Sequence, residues 1–236
     1  MAHPGLLRMG AEAEKLLESG LAQLGLAPED NLKLRETTGK FMLYLSELKK
    51  WNRTYNLTAI TEDRQIIIKH FLDSALYLKA VDGRGESIAD VGSGAGFPGL
   101  VLKLLRPALS VCLIEPSWKR AAFLRHIAGR LELDRVLDGG LTVFEGKAEE
   151  MGPGGNGGAR FDIAVTRALW KAPDFIKRAS GIVRPGGFFI MSRGHTFAAG
   201  LEGIRRKHEV LSLHLKLPFT DIERSIIIVR DGREKG

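Results

Sequence analysis

A single cysteine among 236 residues, Cys112, rules out an intramolecular disulfide and fits a reducing compartment. Long apolar runs are missing as well. The longest unbroken one, residues 41–45, is far short of the roughly 20 residues a membrane-spanning helix needs. No basic stretch leads into an apolar segment and a small-residue cleavage site near residue 1, so no secretion signal is expected. The chain is therefore expected in the cytoplasm, away from membranes. No Cys/His cluster has metal-ligand spacing, so no metal is expected. No Walker-type phosphate loop is present. Acidic side chains are in deficit: 28 against 35 Lys and Arg leave a net charge of +7.

That charge suits a nucleic-acid partner, although a scattered solvated surface would give the same sum. The cations do cluster, at Lys49-Lys50 with Arg53, Lys119-Arg120 with Arg125, Lys177-Arg178 with Arg184, and Arg205-Arg206-Lys207. Hydrophobic residues at 44% are ordinary for a folded domain.

Apolar residues recur at helical spacing over 12–24 and from Asn31, a possible cap, to Trp51. A third helix is expected from Thr61 or Asp63 to about Leu78, burying Ile67, Phe71, Ala75 and Leu78. Residues 1–82 thus read as a helical N-terminal extension. Residues 83–236 read as one compact unit in which strands and helices alternate. Strands are expected at 88–91, 110–115, 141–145, 161–166, 188–192, 210–217 and 224–230. The last two are joined by a connection too short for a parallel crossover, so they should be antiparallel. The fold class is α/β: a seven-stranded, mostly parallel sheet, helices on both faces, one antiparallel strand. The glycine run at 152–158 precedes a strand and opens no helix, so it reads as a connector.

Chemistry should concentrate at the stretch Ile88-Ala-Asp-Val-Gly-Ser-Gly-Ala-Gly-Phe-Pro-Gly-Leu100. It reads as strand, tight turn and helix start, with Asp90 ahead of Gly92, Gly94 and Gly96, and with Pro98 in the first helical turn. Such glycines let a ligand approach bare backbone. Glu115, at the end of the second strand, stands where an acid meets a ribose. After the third strand, the Ala148 backbone and Glu149 could hold a purine edge, although acids in a first helical turn also simply suit the helix dipole. Arg167 ends the fourth strand, where a guanidinium can orient a carboxylate or phosphate. His70 and Asp73 share a helix face, three residues apart. Helix-to-helix hydrogen bonding is their plainer role.

Together with Trp51-Asn-Arg-Thr-Tyr-Asn-Leu-Thr-Ala59, His70-Phe-Leu-Asp-Ser74, Lys119-Arg-Ala-Ala-Phe-Leu124 and Thr166-Arg-Ala168, the glycine motif resembles the bacterial 16S ribosomal RNA guanine-N7 methyltransferase family. This family has the Rossmann-like class I methyltransferase fold. The resemblance implies S-adenosylmethionine as cofactor, with contacts at Gly92, Phe97, Ala148, Glu149 and Arg167 and with Glu115 on the ribose. Asp90 and Gly94 belong to the same cradle. It implies 16S rRNA of the small ribosomal subunit as partner. The excess of cations makes Lys119, Arg120, Arg125 and Arg193 candidates for holding RNA, with Trp51, Tyr55 or Phe97 for stacking, and a monomer is favoured. Arg167, His70 and Asp73 are positioning candidates, and no general base is nominated, because guanine N7 carries a free lone pair. The chain departs from the family at Pro116 and Trp118, where Trp118 should add bulk on the adenine side.

Other readings remain open on the residues alone. Gly94-Ala-Gly96-Phe-Pro-Gly99 also fits the dinucleotide fingerprint of a nicotinamide-dependent oxidoreductase. A small-molecule methyltransferase and a non-catalytic RNA-binding module are the others. Cys112 lies mid-strand, which argues against cysteine-assisted methylation of a pyrimidine carbon. No Asn/Asp-Pro-Pro-aromatic run follows the fourth strand, which argues against the usual exocyclic amine methylation.

Overall fold

The computed structural model describes residues 4–134, 139–151, 161–167, 170–193 and 202–233. The expected glycine connector at 152–158 lies outside these residues. Of Arg193 only the backbone is described.

Helix α1 (Pro4–Gln23) is closed by Gly25 in the left-handed region, φ 64°. Leu26 N–H reaches Leu21 O and Gly25 N–H reaches Ala22 O, the two bonds of a Schellman ending. Helix α2 (Asn31–Tyr55) is capped by Asp30, whose carboxylate accepts from Leu32 N and Lys33 N. The cap is thus one residue before the expected Asn31. Asn56 ends the helix in the left-handed region, φ 50°.

The third helix is not continuous. Helix α3 (Asp63–Ile66) runs into a π-helical turn (Ile67–Leu72), then α4 (Asp73–Ala75) and, after Tyr77, α5 (Leu78–Val81). Ile67, Phe71, Ala75 and Leu78 are buried as expected. Ile66 and Ile68 are buried too, which an α-helical stripe would not allow for three consecutive residues. The wider turn brings all three isoleucines inward and also carries His70.

The sheet contains β1 (Ser87–Val91), β2 (Ser110–Glu115), β3 (Leu141–Glu145), β4 (Phe161–Arg167), β5 (Val183–Arg193), β6 (Glu209–Lys216) and β7 (Glu223–Arg230). Its order is β3-β2-β1-β4-β5-β7-β6. Pairing is parallel from β3 to β5, and β7 runs antiparallel to both β5 and β6. The final hairpin therefore folds back and inserts its last strand inside the sheet. Helices α6 (Gly99–Leu105) and α7 (Trp118–Arg130) cover one face and α8 (Ala172–Ala179) the other. Of the helix expected near residues 197–206, the structure describes 202–206, and Glu202–Arg205 (α9) are helical. One apolar core joins Leu17, Phe41 and Phe71 of the extension to Leu100 and Phe123 beside the sheet.

Order reverses between β1 and β4, where open α/β sheets place their ligands at the carboxyl ends of the strands. Asp90, Gly92, Gly94, Glu115, Ala148, Glu149 and Arg167 sit at or just past that edge.

Candidate functional site

The turn after β1 is built from backbone. Gly92 N and Ser93 N both donate to Ile114 O, at 2.8 and 3.1 Å, which hooks the turn onto β2. Gly92, Gly94 and Gly96 all have positive φ, at 73°, 60° and 102°. A Cβ on Gly94 would have no atom within 4 Å, so open space lies above it. A Cβ on Gly96 would meet the Tyr44 hydroxyl at 2.7 Å, and that hydroxyl donates to Ala95 O. Helix α6 starts at Gly99, two residues later than the expected start at Phe97, with Pro98 as its cap position and a cis Phe97–Pro98 peptide.

Asp90 was expected to touch the cofactor. It is instead 0% exposed beneath the turn, and its Oδ2 accepts from Gly99 N at 2.8 Å. Its Oδ1 has no partner among the described residues, and burial pushes its carboxyl up to about 7. The geometry makes it a brace of the turn.

Glu115 is buried but lines the cavity of the site. One oxygen accepts from Gly94 N at 2.8 Å and the other from Ser117 N at 2.9 Å. A carboxylate has about four acceptor positions, so two remain for ligand hydroxyls. A cavity of about 290 Å³ opens beside it, lined by Val91, Gly92, Ile114, Glu115, Pro116 and Arg120, by Gly146 to Glu149, and by Trp170 and Arg178. Gly92, Glu115, Ala148 and Glu149 are thus brought together as expected. Glu149 sits in a short 3-10 turn (Ala148–Met151) and pairs with Arg178, whose guanidinium lies 5.6 Å over the Trp170 ring. Trp170 and Arg178 went unrecognised as site residues. The basic pair Lys177-Arg178 was the only signal for the second, and nothing marked the first.

Phe97, Arg167, His70 and Asp73 do not line that cavity. They form a second cluster on the other side of the turn. His70 stacks on Phe97 with centroids 4.6 Å apart, and Arg167 lies 5.0 Å over the same ring. Arg167 donates to His70 Nδ1 at 3.0 Å and to Lys69 O at 3.1 Å, and approaches Ser74 Oγ and Asp73. Arg224 on β7 donates to Asp73 at 2.6 Å. Since an arginine only donates, His70 Nδ1 accepts, and its Nε2–H donates to Thr58 Oγ1 at 2.8 Å. Burial, with Arg167 nearby, lowers His70 to about 3. A neutral imidazole beside one carboxylate and two guanidiniums leaves the cluster with a net charge of +1. Thr58 and Arg224 were missed. Thr58 lies inside a motif singled out above, whereas Arg224 carried no signal.

Among the RNA candidates, Arg120 lines the cavity, Arg125 pairs with Glu145 at 2.9 Å, and Lys119 lies 5.8 Å over the Trp118 ring. The Arg193 side chain lies outside the described residues. Trp118 does not line the cavity, contrary to expectation. Only its neighbours Pro116 and Arg120 do. Cys112 is buried, and burial pushes its thiol up, as suits an inert core residue. Among the described residues no group of His, Cys, Asp or Glu could hold a metal ion, and no helix is long and apolar enough to cross a membrane.

A sheet of order 3-2-1-4-5-7-6 with a glycine cradle, a strand-end acid and a nucleoside-sized cavity defines a Rossmann-like methyltransferase. Solved structures agree on the fold: a methyltransferase from Pyrococcus furiosus superposes with a TM-score of 0.53 at 13% identity, covering 80% of this chain and 95% of that one. A 16S rRNA methyltransferase from T. thermophilus, solved with AdoMet and guanosine, gives 0.51 at 19% identity over 69% and 43%. The chain belongs to the family described as rRNA small subunit methyltransferase G, whose model matches residues 37–227. Relatives named "Ribosomal RNA small subunit methyltransferase G" include one from Geobacter metallireducens, 36% identical over 94% of this chain and 97% of its own length. One from Acetivibrio thermocellus is 34% identical over 93% and 89%.

Proposed function

We propose that the chain transfers a methyl group from S-adenosylmethionine to N7 of a guanine in 16S rRNA. One observation carries the reading: the family match and the acid-and-glycine floor of the cavity fall on the same residues. Open space over Gly94 and two spare acceptor positions on Glu115 fit a ribose. Ala148 and Glu149 stand across the cavity, where a purine edge would lie. When bound, the cofactor supplies a methyl group on a sulfonium.

The chain's own work is then positional. Guanine N7 attacks through a lone pair, so no residue needs to remove a proton. His70 suits such a site: it is neutral, and both ring nitrogens are engaged. It is a positioning residue that, with Phe97, fixes the plane of Arg167. Arg167 and Arg224 outweigh Asp73 and leave positive charge for an RNA phosphate or the cofactor carboxylate. Alignment of reacting atoms can supply roughly 7–11 kcal/mol in favourable cases.

The reading is tested by tritiated methyl transfer to small subunits lacking the modification, followed by strand cleavage at N7-methylguanine. Incorporation with cleavage at one guanine is the expected result. Absence of label in both subunits and free 16S rRNA would overturn it.

A further inference from the structure

Trp118 is 60% exposed and lies in the chain between Pro116 and Arg120, which line the cavity, without lining it itself. It opens α7, and Arg120, two residues on, lines the cavity. Two residues turn a helix by about 200°, so the indole points away from the cofactor side. It turns instead toward Tyr55 at the end of α2, ring centroids 6.4 Å apart and edge to face. Tyr55 lies 5.4 Å from Trp51, and Trp51 5.6 Å from the buried Phe123. The exposed ring is thus the outer end of an aromatic row anchored in the core, and its neighbours limit its freedom before anything binds.

The charge beside it is of one sign. The first turn of α7 contains Lys119 and Arg120 and no acid, although the helix dipole there favours acids. Lys119 lies over the indole, and Arg120 reaches the cavity. A flat π face flanked by cations matches an unpaired nucleotide: the base stacks and the phosphate meets the ammonium.

We propose that Trp118, with Tyr55 and Lys119, is a stacking platform for one unpaired base of the RNA strand, next to the base that is methylated. The proposal rests on the RNA reading above and adds a residue which that reading did not place. Binding of unmodified 16S rRNA is measured across a salt series for the wild type, Trp118→Ala, Trp118→Phe and Lys119→Ala, with S-adenosylhomocysteine affinity measured in parallel. Trp118→Ala should bind RNA about tenfold more weakly with an unchanged salt slope, because stacking releases no counterions. Trp118→Phe should retain most of the affinity. Lys119→Ala should lower the slope by about one. Cofactor affinity should stay the same in all three. The platform is overturned if Trp118→Ala binds RNA like the wild type, or if RNA and cofactor affinity fall together. It is also overturned if only protein-containing subunits, and not naked RNA, lose affinity. Failure of the wild type itself to bind or methylate 16S rRNA would sink the parent reading instead.

Discussion

The two halves of the site are built in opposite ways. The floor of the cavity beside β2 is mostly backbone geometry: glycines at positive φ, hooked to Ile114 O and braced by Glu115. The cluster around Phe97 is side chains holding side chains, with His70, Arg167, Asp73 and Arg224 each bonded to the next. The first half leaves acceptor positions and space open. The second has already used most of its own, and keeps an excess of positive charge. A site that must exchange one ligand each turnover while aligning another gains from that division: an open receptacle on a stiff turn, beside a rigid charged wall.

The sharpest way to break the comparison is Arg167→Ala. It removes the donor to His70 and Lys69 O and half of the pairing of buried Asp73. A loss of about 3 kcal/mol of stability is expected, together with loss of methyl transfer. Arg167→Lys should not rescue, because an ammonium cannot serve these partners in one plane. Denaturant unfolding checks this, and an unchanged midpoint would show the cluster to be loose. Glu115→Ala should do the reverse, costing roughly 2–3 kcal/mol of S-adenosylhomocysteine affinity, or at least thirtyfold, while shifting stability less. Calorimetry decides, and equal losses in both quantities would erase the distinction between the halves.

A smaller effect lies at the junction. Gly96→Ala places a Cβ against the Tyr44 hydroxyl at φ 102° and should cost about 1–3 kcal/mol. Tyr44→Phe alone should cost about 1 kcal/mol for its lost bond to Ala95 O. Combined, they should cost less than their sum, because the tightest contact disappears while those with Leu100 and the backbone strain stay. Strict additivity in a double-mutant cycle would refute the contact.

The smallest effect is a pH slope. Burial raises Asp90 from 3.8 to about 7, so the native state holds this proton more tightly than the unfolded chain. Its contribution is fully present below the unfolded value and declines as pH rises toward 7. Burial lowers His70 from 6.5 to about 3, so its contribution is present above the unfolded value and lost as pH falls. Between about pH 4 and 6.5 the two oppose each other. Asp90→Asn should therefore make stability fall more steeply on acidification, and His70→Asn should make it fall toward neutrality. Parallel profiles for the wild type and both variants would contradict the assignment.

The open half was legible from the chain alone because its parts are local in sequence and tied to strand ends. An apolar run, three spaced glycines and a terminal acid report their own positions. Strands β2 and β3 have their expected bounds for the same reason. The charged half was legible only as separate residues. Arg167 and His70 are 97 positions apart, and Asp73 and Arg224 are 151 apart, so no spacing announces either pair. The π turn escaped as well, because its buried isoleucines follow neither the strand nor the α-helical period. Trp118 was noticed for its bulk, but its direction depended on where Tyr55 would end up.

The insertion of β7 between β5 and β6 also orders events in time. A ribosome releases the chain from its first residue onward, so the cavity has all of its lining once Arg178 has emerged. The charged wall does not, because Arg224 lies on the strand that threads in last. Until then Asp73 has only Arg167, and the sheet has a gap where its single antiparallel strand belongs. In a growing chain the last residue that lines the cavity, Arg178, therefore appears well before Arg224, the residue that completes the charged wall.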